Sequence, residues 1–262
     1  MDNFDALIDE LDLRLFEKIN SQTTADDKRS LLACQKAVRD LIPDYAYLEI
    51  GSYQGGSLQP YLLDDRCRKI YSIDRRSKAH ADARGIDFVY TNNLEGVMLE
   101  KLEAAHGARV SKIQCFDGDA SEFDPGQIAA RPQLCFIDGE HTDEATWRDF
   151  QFCMKVVREN GAIVFHDAMI VYNALCRVIE FLQDGGIPFR AYNLPDVVFV
   201  VEIGDFPLHR SESISSMLVD NYVGYLSSLR FNDQYRRFAN RPVFKLIRGI
   251  KAKFTRENVA HE

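Results

Sequence analysis

The sequence predicts an α/β fold, in which a doubly wound, mostly parallel seven-stranded sheet carries helical extensions at both ends of the chain. Two observations support this prediction. Short apolar runs alternate with stretches of helical periodicity from residue 45 onwards, which indicates strands covered by helices on both faces. The last two predicted strands are joined only by the turn Leu194-Pro195-Asp196, so they form a C-terminal hairpin in which one strand runs antiparallel.

Two helices are predicted ahead of the first strand. Residues 3–19 and 25–41 place apolar side chains at helical spacing. Thr24, followed by two aspartates, is a favourable start for the second helix, and Pro43 ends it. Residues 1–42 are therefore predicted to form a helical cap.

The remaining elements follow from short apolar runs that end in polar residues, and from helical spacing between them. The strands are predicted over 45–50, 69–74, 86–91 (extended, or a short strand), 112–116, 134–137, 162–165, 189–193 and 197–203. The helices are predicted to run from the glycine loop to about residue 63, and over 93–105, 142–158, 171–183 and 213–239. Thr142, with two acids behind it, caps the third of these helices. Residues 205–262 are predicted to form a helical C-terminal extension.

Composition favours an ordinary globular protein of the cytoplasm. The chain has 262 residues, of which 46% are hydrophobic and 27% charged. Its acidic start lacks the basic and apolar regions of a signal peptide, and no apolar run approaches the length of about 18 residues that a membrane span needs. The six cysteines form no C-x-x-C pair, so we expect reduced thiols rather than disulfides or a zinc site.

The net charge of −8 is distributed unevenly. Residues 230–256 carry nine Lys or Arg and one acid, a net +8, which leaves −16 for the rest of the chain. We therefore expect no nucleic-acid binding by the body. Apolar residues between 243 and 254 share one helical face with basic residues around it. The favoured interpretation is a helix packed on the body or on a partner, and the alternative is peripheral contact with the inner membrane surface.

The first strand ends in a glycine-containing loop. Residues 49–57 read E-x-G-x-x-x-G-G-S, and Tyr53 stands where a pyrophosphate-binding loop needs its second glycine. The loop also contains no lysine. A ligand with an amino acid and an adenosine but no phosphate fits better, with Glu49 taking an ammonium group and Gly51 allowing close approach of the ligand. The alternative is a strand–turn–helix that needs glycine for its backbone angles alone.

The next two strands end in acids suited to an adenosine. Asp74 ends the second strand, about 23 residues after Gly51, where an acid can accept both ribose hydroxyls. Asp119, Ala120 and Ser121 follow the third main strand, at the place where adenine would be held. For Asp119 and Ser121 the alternative role is helix capping.

These motifs, in this order, resemble the class I S-adenosylmethionine (SAM)-dependent methyltransferases, and within them the catechol-O-methyltransferase-like branch. The segments FIDGEHT (136–142) and GAIVFHDA (161–168) resemble the bacterial macrocin and mycinamicin O-methyltransferases. The resemblance covers about residues 40–204 and implies a methyltransferase domain over 43–204. It implies the following cofactor-binding residues: Glu49, Gly51, Ser52, Tyr53, Gly55, Ser57, Asp74, Asp119, Ala120, Ser121 and Asp138.

The same resemblance implies a divalent metal held by Asp138, His166 and Asp167. Relatives often have an acid where this chain has His166. Mg²⁺ prefers oxygen ligands, whereas imidazole suits softer ions such as Mn²⁺. Three interpretations therefore stay open. The metal is softer than Mg²⁺, or it is Mg²⁺ and His166 is not a ligand, or the site is metal-free. His141 occupies the position of the general base in relatives, and with Asp138 it forms the predicted catalytic pair. The alternative for His141 is a loop histidine ahead of a helix cap.

The predicted function is O-methyl transfer from SAM to a hydroxyl of a small molecule or of a sugar or glycan. One alternative is metal-independent N-methylation, and another is a non-catalytic scaffold that keeps the cofactor fold. A dehydrogenase is disfavoured because G-x-G-x-x-G is missing. The N-terminal helices are expected to shape the acceptor pocket. Their alternative role is dimerisation, which leaves a homo-oligomer open. Trp147 is either a wall of the site or part of the core.

Overall fold

A computed structural model describes residues 4–76, 79–80, 82 and 88–239. The strands are β1 (Tyr45–Ile50), β2 (Cys67–Asp74), β3 (Ala79–His80), β4 (Phe88–Val89), β5 (Ile113–Asp117), β6 (Leu134–Ile137), β7 (Gly161–Phe165), β8 (Phe189–Asn193), β9 (Phe199–Ile203) and β10 (Asp220–Asn221). The helices are α1 (Phe4–Asp9), α2 (Ala25–Leu41), α3 (Gln59–Leu63), α4 (Glu95–His106), α5 (Asp143–Val156), α6 (Tyr172–Asp184), α7 (Glu212–Ser215) and α8 (Tyr222–Ala239).

Within the described ranges the main sheet has eight strands, in the order β10-β8-β9-β7-β6-β1-β2-β5. β5, β2, β1, β6 and β7 pair in parallel, and β9 pairs antiparallel with both β7 and β8. The predicted α/β fold and its antiparallel hairpin are therefore confirmed. The eighth strand is the two-residue β10, which pairs with β8 at the edge of the sheet. It was not predicted, because its two residues are polar and form no apolar run.

The strand order places a ligand crevice beside β1. The chain leaves β1 for β2 on one side and reaches β6 on the other, so the strand order reverses at β1. Ligands of open α/β sheets bind at such a reversal, beyond the carboxyl ends of the strands. The side chains below this edge are packed apolar residues: β1, β6 and β7 are buried along their whole length, and the Tyr47 and Tyr61 rings stack at 3.6 Å.

The first predicted helix, 3–19, was wrong as a continuous element. The structure divides it into α1 and a short 3-10 helix, Leu13–Phe16. Leu11, between them, has a φ of 51°, and a right-handed helix cannot pass through a residue with this backbone angle. The Asp12 side chain then accepts a hydrogen bond from the Arg14 amide and so caps the 3-10 helix. The second helix matches its prediction: α2 spans Ala25–Leu41 and begins with a capping box of Thr24 and Asp27.

The C-terminal region also differs from its prediction. The helix predicted over 213–239 is divided into α7, the edge strand β10 and α8. The chain forms two units, Met1–Tyr222 and Val223–Glu262. The predicted basic amphipathic helix between 243 and 256 lies outside the described residues. Across the described ranges, the helices are all too short or too polar to cross a membrane.

Candidate active site

The main cavity has a volume of about 490 Å³ and lies over the carboxyl ends of β1, β6 and β7. Its walls come from the loop after β1, from the loops after β6 and β7, and from residues 20–24 ahead of α2. Six residues predicted to bind the cofactor line it: Gly51, Ser52, Tyr53, Ser57, Asp74 and Asp138. Asp119 and Ala120 line a smaller cavity that adjoins it. Glu49, Gly55 and Ser121 lie outside the lining of both cavities.

Gly51 joins the two loops that form the base of the cavity. Its φ is 97°, and a Cβ built on it would lie 2.1 Å from the carbonyl oxygen of Asp138. The Asp138 backbone is therefore what requires glycine at position 51, and the close approach of a ligand to Gly51 stays a prediction. Tyr53 also has a positive φ, 45°, at the position where a dinucleotide loop has glycine. Tyr53 therefore adopts a left-handed conformation that glycine adopts more readily.

Glu49 supports the loop from below. Its side chain is fully buried and accepts hydrogen bonds from the Tyr47 hydroxyl at 2.6 Å and from Ser57 Oγ at 2.5 Å. Burial raises the pKa of Glu49 to about 7, although these two hydrogen bonds act in the opposite direction. Through its bond to Ser57, which lines the cavity, Glu49 fixes the cavity wall.

Asp74 is held rigidly at the mouth between the two cavities. It is 4% exposed, and its two oxygens accept hydrogen bonds from the backbone amides of Tyr53 and Arg76, each at 2.8 Å. A carboxylate has about four lone-pair sites, so both oxygens can accept further hydrogen bonds from ribose hydroxyls. Asp119 caps a 3-10 helix by accepting from the Ser121 amide, which is the alternative role that the sequence left open for both residues.

Four residues form a cluster at the transfer end of the main cavity, and we call Asp138, His141, His166 and Asp167 the acid–histidine cluster. Asp138 follows β6, and His166 with Asp167 follows β7. His141 Nε2 lies 3.0 Å from Asp167 Oδ2 and 3.8 Å from Asp138 Oδ1. His166 Nδ1 lies 3.1 Å from an oxygen of each aspartate. The structure therefore brings together all four residues that the sequence singled out.

Charge pairing dominates the protonation of this cluster. Burial raises the pKa of Asp138, but the charge of His166 and the hydrogen bonds from both histidines outweigh burial and lower it to about 2. Burial lowers the pKa of His141, yet Asp138 and Asp167 raise it above its ordinary value. For His166, the same two aspartates and Asp27 outweigh burial and hold the pKa well above its usual range. Both imidazoles therefore bind a proton more tightly than an isolated histidine does, because carboxylates surround them.

Asp27 was missed as a site residue by the sequence analysis. It is 1% exposed, and its Oδ2 lies 3.2 Å from His166 Nε2. Its Oδ1 accepts a hydrogen bond from the Val197 amide at 3.3 Å. The helix cap at the start of α2 therefore reaches the acid–histidine cluster. In the sequence, Asp27 is recognisable only as part of a helix start. Nothing in that pattern indicates a contact with His166, which lies 139 positions further on.

The cluster contains a set of residues that fits a divalent metal ion. Asp138, His141 and Asp167 each offer one ligand atom, and these atoms lie within 4.8 Å of one another. The sequence analysis predicted His166 as the third ligand, whereas this set contains His141. His166 points its Nε2 towards Asp27. Two carboxylate oxygens with one imidazole nitrogen suit Mn²⁺, Fe²⁺ or Zn²⁺ better than Mg²⁺.

Trp147 packs in the core rather than against a cavity. Its ring lies 5.5 Å from the Phe150 ring and 5.7 Å from the Phe181 ring, measured between centroids. The Arg177 guanidinium stacks over it at 4.2 Å. Of the two roles that the sequence left open for Trp147, the structure favours packing.

Comparisons with known proteins agree with this fold. Residues 48–168 match the family model described as a methyltransferase domain. The chain is 27% identical over 187 residues to protein R132 of Acanthamoeba polyphaga mimivirus, which is described as uncharacterized; the match covers 67% of this chain and 74% of that protein.

The fold is similar to that of solved O-methyltransferases. An O-methyltransferase from Bacillus cereus, in complex with S-adenosylhomocysteine (SAH), is 12% identical with a TM-score of 0.51, over 78% of this chain and 92% of that one. TomG from Streptomyces achromogenes, in complex with SAM, is 13% identical with a TM-score of 0.50, over 78% and 90%. NovP is 14% identical with a TM-score of 0.51, over 76% and 99%.

At these identities the likeness to solved structures shows the fold. Together with the family match, it supports a SAM-dependent methyltransferase, as the sequence predicts. The narrower resemblance to macrocin and mycinamicin O-methyltransferases stays a prediction.

Proposed function

We propose that this chain transfers the methyl group of SAM to a hydroxyl oxygen of a small molecule, a sugar or a glycan. The observation that carries the proposal is the position of His141. Its Nε2 lies 3.0 Å from Asp167 and shares a cavity with the glycine loop and with Asp74, which are the predicted cofactor contacts. A base and a cofactor loop that face one cavity are what a transfer between two bound reactants requires.

In the proposed reaction, SAM supplies a methyl group on a positively charged sulfur. His141 accepts the proton of the acceptor hydroxyl, and Asp167 and Asp138 hold the imidazole and stabilise it once it is protonated. The fraction of His141 that is unprotonated, and hence able to act as a base, grows as the pH rises through its raised pKa. A divalent ion bound by Asp138, His141 and Asp167 is the alternative to this base, because a His141 nitrogen that binds a metal cannot also accept the proton; such an ion would itself lower the pKa of an acceptor hydroxyl and orient it.

Oxygen is the favoured acceptor atom because of the base. A neutral amine attacks a methyl group with its own lone pair, whereas a hydroxyl is a weak nucleophile until its proton is removed. Methyl transfer to a neutral amine needs no base before the attack, so it would not require His141 to be paired with two carboxylates. The three solved structures above, two of them described with SAH or SAM, are all described as O-methyltransferases, which supports the same assignment.

The wall of the cavity favours a polyhydroxylated acceptor. Residues 20–24 line it with hydroxyl and amide side chains, in the sequence Asn-Ser-Gln-Thr-Thr, and Asp196 adds a carboxylate. Such side chains both donate and accept hydrogen bonds, as a sugar does. We therefore place sugars and glycan ends ahead of catechols as candidate acceptors.

The direct test is a methyl-transfer screen with isotopically labelled SAM against sugars, catechols, lipid-linked glycans and amines. We expect labelled methyl ethers from at least one hydroxyl acceptor. Labelled amines alone would contradict the proposal, and so would absence of SAH binding in calorimetry. The metal is tested separately, by exhaustive chelation followed by addition of Mg²⁺ or Mn²⁺. Activity that is insensitive to both treatments would remove the metal from the proposal.

A further inference from the structure

The smaller cavity adjoins the main one beside Asp74. It has a volume of about 30 Å³, and Gly51, Asp74 and Gly139 line both cavities. The smaller cavity is therefore within reach of the base of a ligand whose ribose is held by Asp74. A volume of this size admits the polar edge of a purine rather than the whole ring.

Asp149, on α5, lines this smaller cavity and has no assigned role. Its side chain is buried, with 6% of the residue exposed. Two of the other acids that line it have arginine partners: Arg148 lies 3.2 Å from Asp119, and Arg75 lies 3.0 Å from Glu140. Asp149, in contrast, has neither a hydrogen-bond partner nor an ion-pair partner among the described residues.

A buried carboxyl without a hydrogen-bond partner is unfavourable unless a ligand supplies that partner. Transfer of a polar group out of water without a compensating hydrogen bond destabilises the fold by about 1–3 kcal/mol in proteins. A leucine or alanine on the same helix position would avoid this penalty. The carboxyl also lies against the loop that carries Asp138, since a Cβ built on Gly139 would be 3.2 Å from Asp149 Oδ2. Asp149 is therefore placed at the cavity wall, beside the loop that the cofactor is predicted to contact.

We propose that Asp149 binds the 6-amino edge of adenine and determines the base specificity of the site. The inference rests on the proposed use of SAM. The 6-amino group of adenine donates hydrogen bonds and the adjacent ring nitrogen accepts one. A carboxyl group in its neutral form offers one acceptor and one donor in a matching arrangement.

The surroundings of Asp149 favour the neutral form. Burial raises the pKa of Asp149 to about 8, and the negative charges of Asp119 and Glu140 act in the same direction. Arg148 and Arg75 oppose this shift and are outweighed. At pH 7 the carboxyl is therefore protonated and can donate to the ring nitrogen while it accepts from the amino group.

The test is a thermodynamic cycle measured by calorimetry. The ligands are SAH and an SAH analogue in which hydrogen replaces the 6-amino group, and the proteins are wild type and Asp149→Ala. We expect wild type to prefer SAH over the analogue by about tenfold, which corresponds to one hydrogen bond of about 1.4 kcal/mol. In Asp149→Ala, SAH should bind about tenfold more weakly and the preference should fall to near unity.

Two further variants separate recognition from structure. Glu144→Ala is the matched control, since Glu144 lies on the same helix with 83% of its side chain exposed, and we expect it to leave both affinities unchanged. Asp149→Asn keeps one donor and one acceptor, so it should retain the preference for SAH even where the alanine variant fails to fold. Above pH 8, wild type should lose SAH affinity relative to Asp149→Asn, because ionised Asp149 no longer donates.

The outcomes distinguish this inference from the proposed function. Equal weakening of SAH and the analogue by Asp149→Ala would mean a structural role and would overturn the inference. Unchanged SAH affinity in that variant, or a loss of preference in Asp149→Asn, would overturn it too. If wild type binds neither ligand, the proposed use of SAM fails together with the inference.

Discussion

The cofactor end and the transfer end of the main cavity are built on different principles. At the cofactor end, the key acids are fixed by backbone amides of nearby loops: Asp74 by the amides of Tyr53 and Arg76, and Asp119 by that of Ser121. At the transfer end, acids and histidines from two strand ends and from α2 hold one another. The first arrangement fixes a ligand in place, whereas the second concentrates charge and basicity. Each of the following predictions tests one side of this contrast.

The largest effect is expected at the transfer end, from His141→Ala. Loss of a general base reduces rates by about 10²–10⁴-fold, so kcat for methyl transfer should fall within that range. SAH affinity should stay within about threefold of wild type, because the predicted cofactor contacts are left intact. Single-turnover rates and calorimetry on the same preparations measure the two quantities. A variant with near-normal kcat would remove His141 from the proposed chemistry.

At the cofactor end, Gly51→Ala should reduce both stability and SAH affinity. The added Cβ would lie 2.1 Å from the Asp138 carbonyl oxygen at a φ of 97°, and strained backbone of this kind costs about 1–3 kcal/mol before the clash is counted. We therefore expect the free energy of unfolding to fall by at least about 2 kcal/mol in urea titrations. The matched control is Gly96→Ala in α4, where a Cβ meets nothing within 4 Å and helix propensity favours alanine. A Gly51→Ala variant as stable as this control would contradict the tight contact between the two loops.

Asp27→Asn should affect transfer more than cofactor binding. The asparagine keeps one acceptor oxygen, so it can still accept either the cap bond or the Val197 bond, and it removes the negative charge that faces His166. Loss of such an orienting partner costs about 10–100-fold in known sites, and we expect kcat to fall by about tenfold with SAH affinity nearly unchanged. Asp26→Asn, one residue earlier with an exposed side chain paired to Arg29, is the control and should leave kcat unchanged. Equal effects of the two substitutions would mean that the charge of Asp27 plays no part in transfer.

Proximity to a strand end, rather than the end of the cavity, explains which parts of the site were predictable from sequence, since the acid–histidine cluster after β6 and β7 was predicted too. The glycine loop, Asp74 and the Asp119 cap depend on residues within a few positions of a strand end, and such local signals are visible in a sequence. The eight-stranded order, the Leu11 break and the contact of Asp27 with His166 depend on packing between distant segments. Asp149 belongs to the second group, since helical spacing predicted α5 and gave no reason to expect a carboxyl facing a cavity.

The smallest expected effect concerns the pH dependence of stability, which should have opposite signs at the two ends. Burial raises the pKa of Glu49 to about 7, against about 4.5 when unfolded, so the native state binds more protons between these values. Its contribution to the free energy of unfolding therefore falls as the pH rises from about 4.5 to 7. Asp138, with its pKa lowered to about 2, contributes stability above pH 4 that is lost as the pH falls towards 2.

Glu49→Gln should flatten the first of these slopes without affecting the second. Relative to wild type at each pH, the variant should gain on the order of 1 kcal/mol between pH 5 and pH 8, because wild type alone must ionise a buried carboxyl. Urea titrations at the two pH values measure this difference. Asp138→Asn should instead be less stable than wild type by a similar amount at both pH values, and the difference should shrink only as the pH falls from 4 towards 2. Saturating SAH should reduce the difference if its ammonium group offsets the Glu49 charge, as the sequence predicts. Parallel pH profiles for wild type and Glu49→Gln would mean that Glu49 ionises as freely in the folded protein as in the unfolded chain, and the contrast between the two ends would then lie in geometry alone.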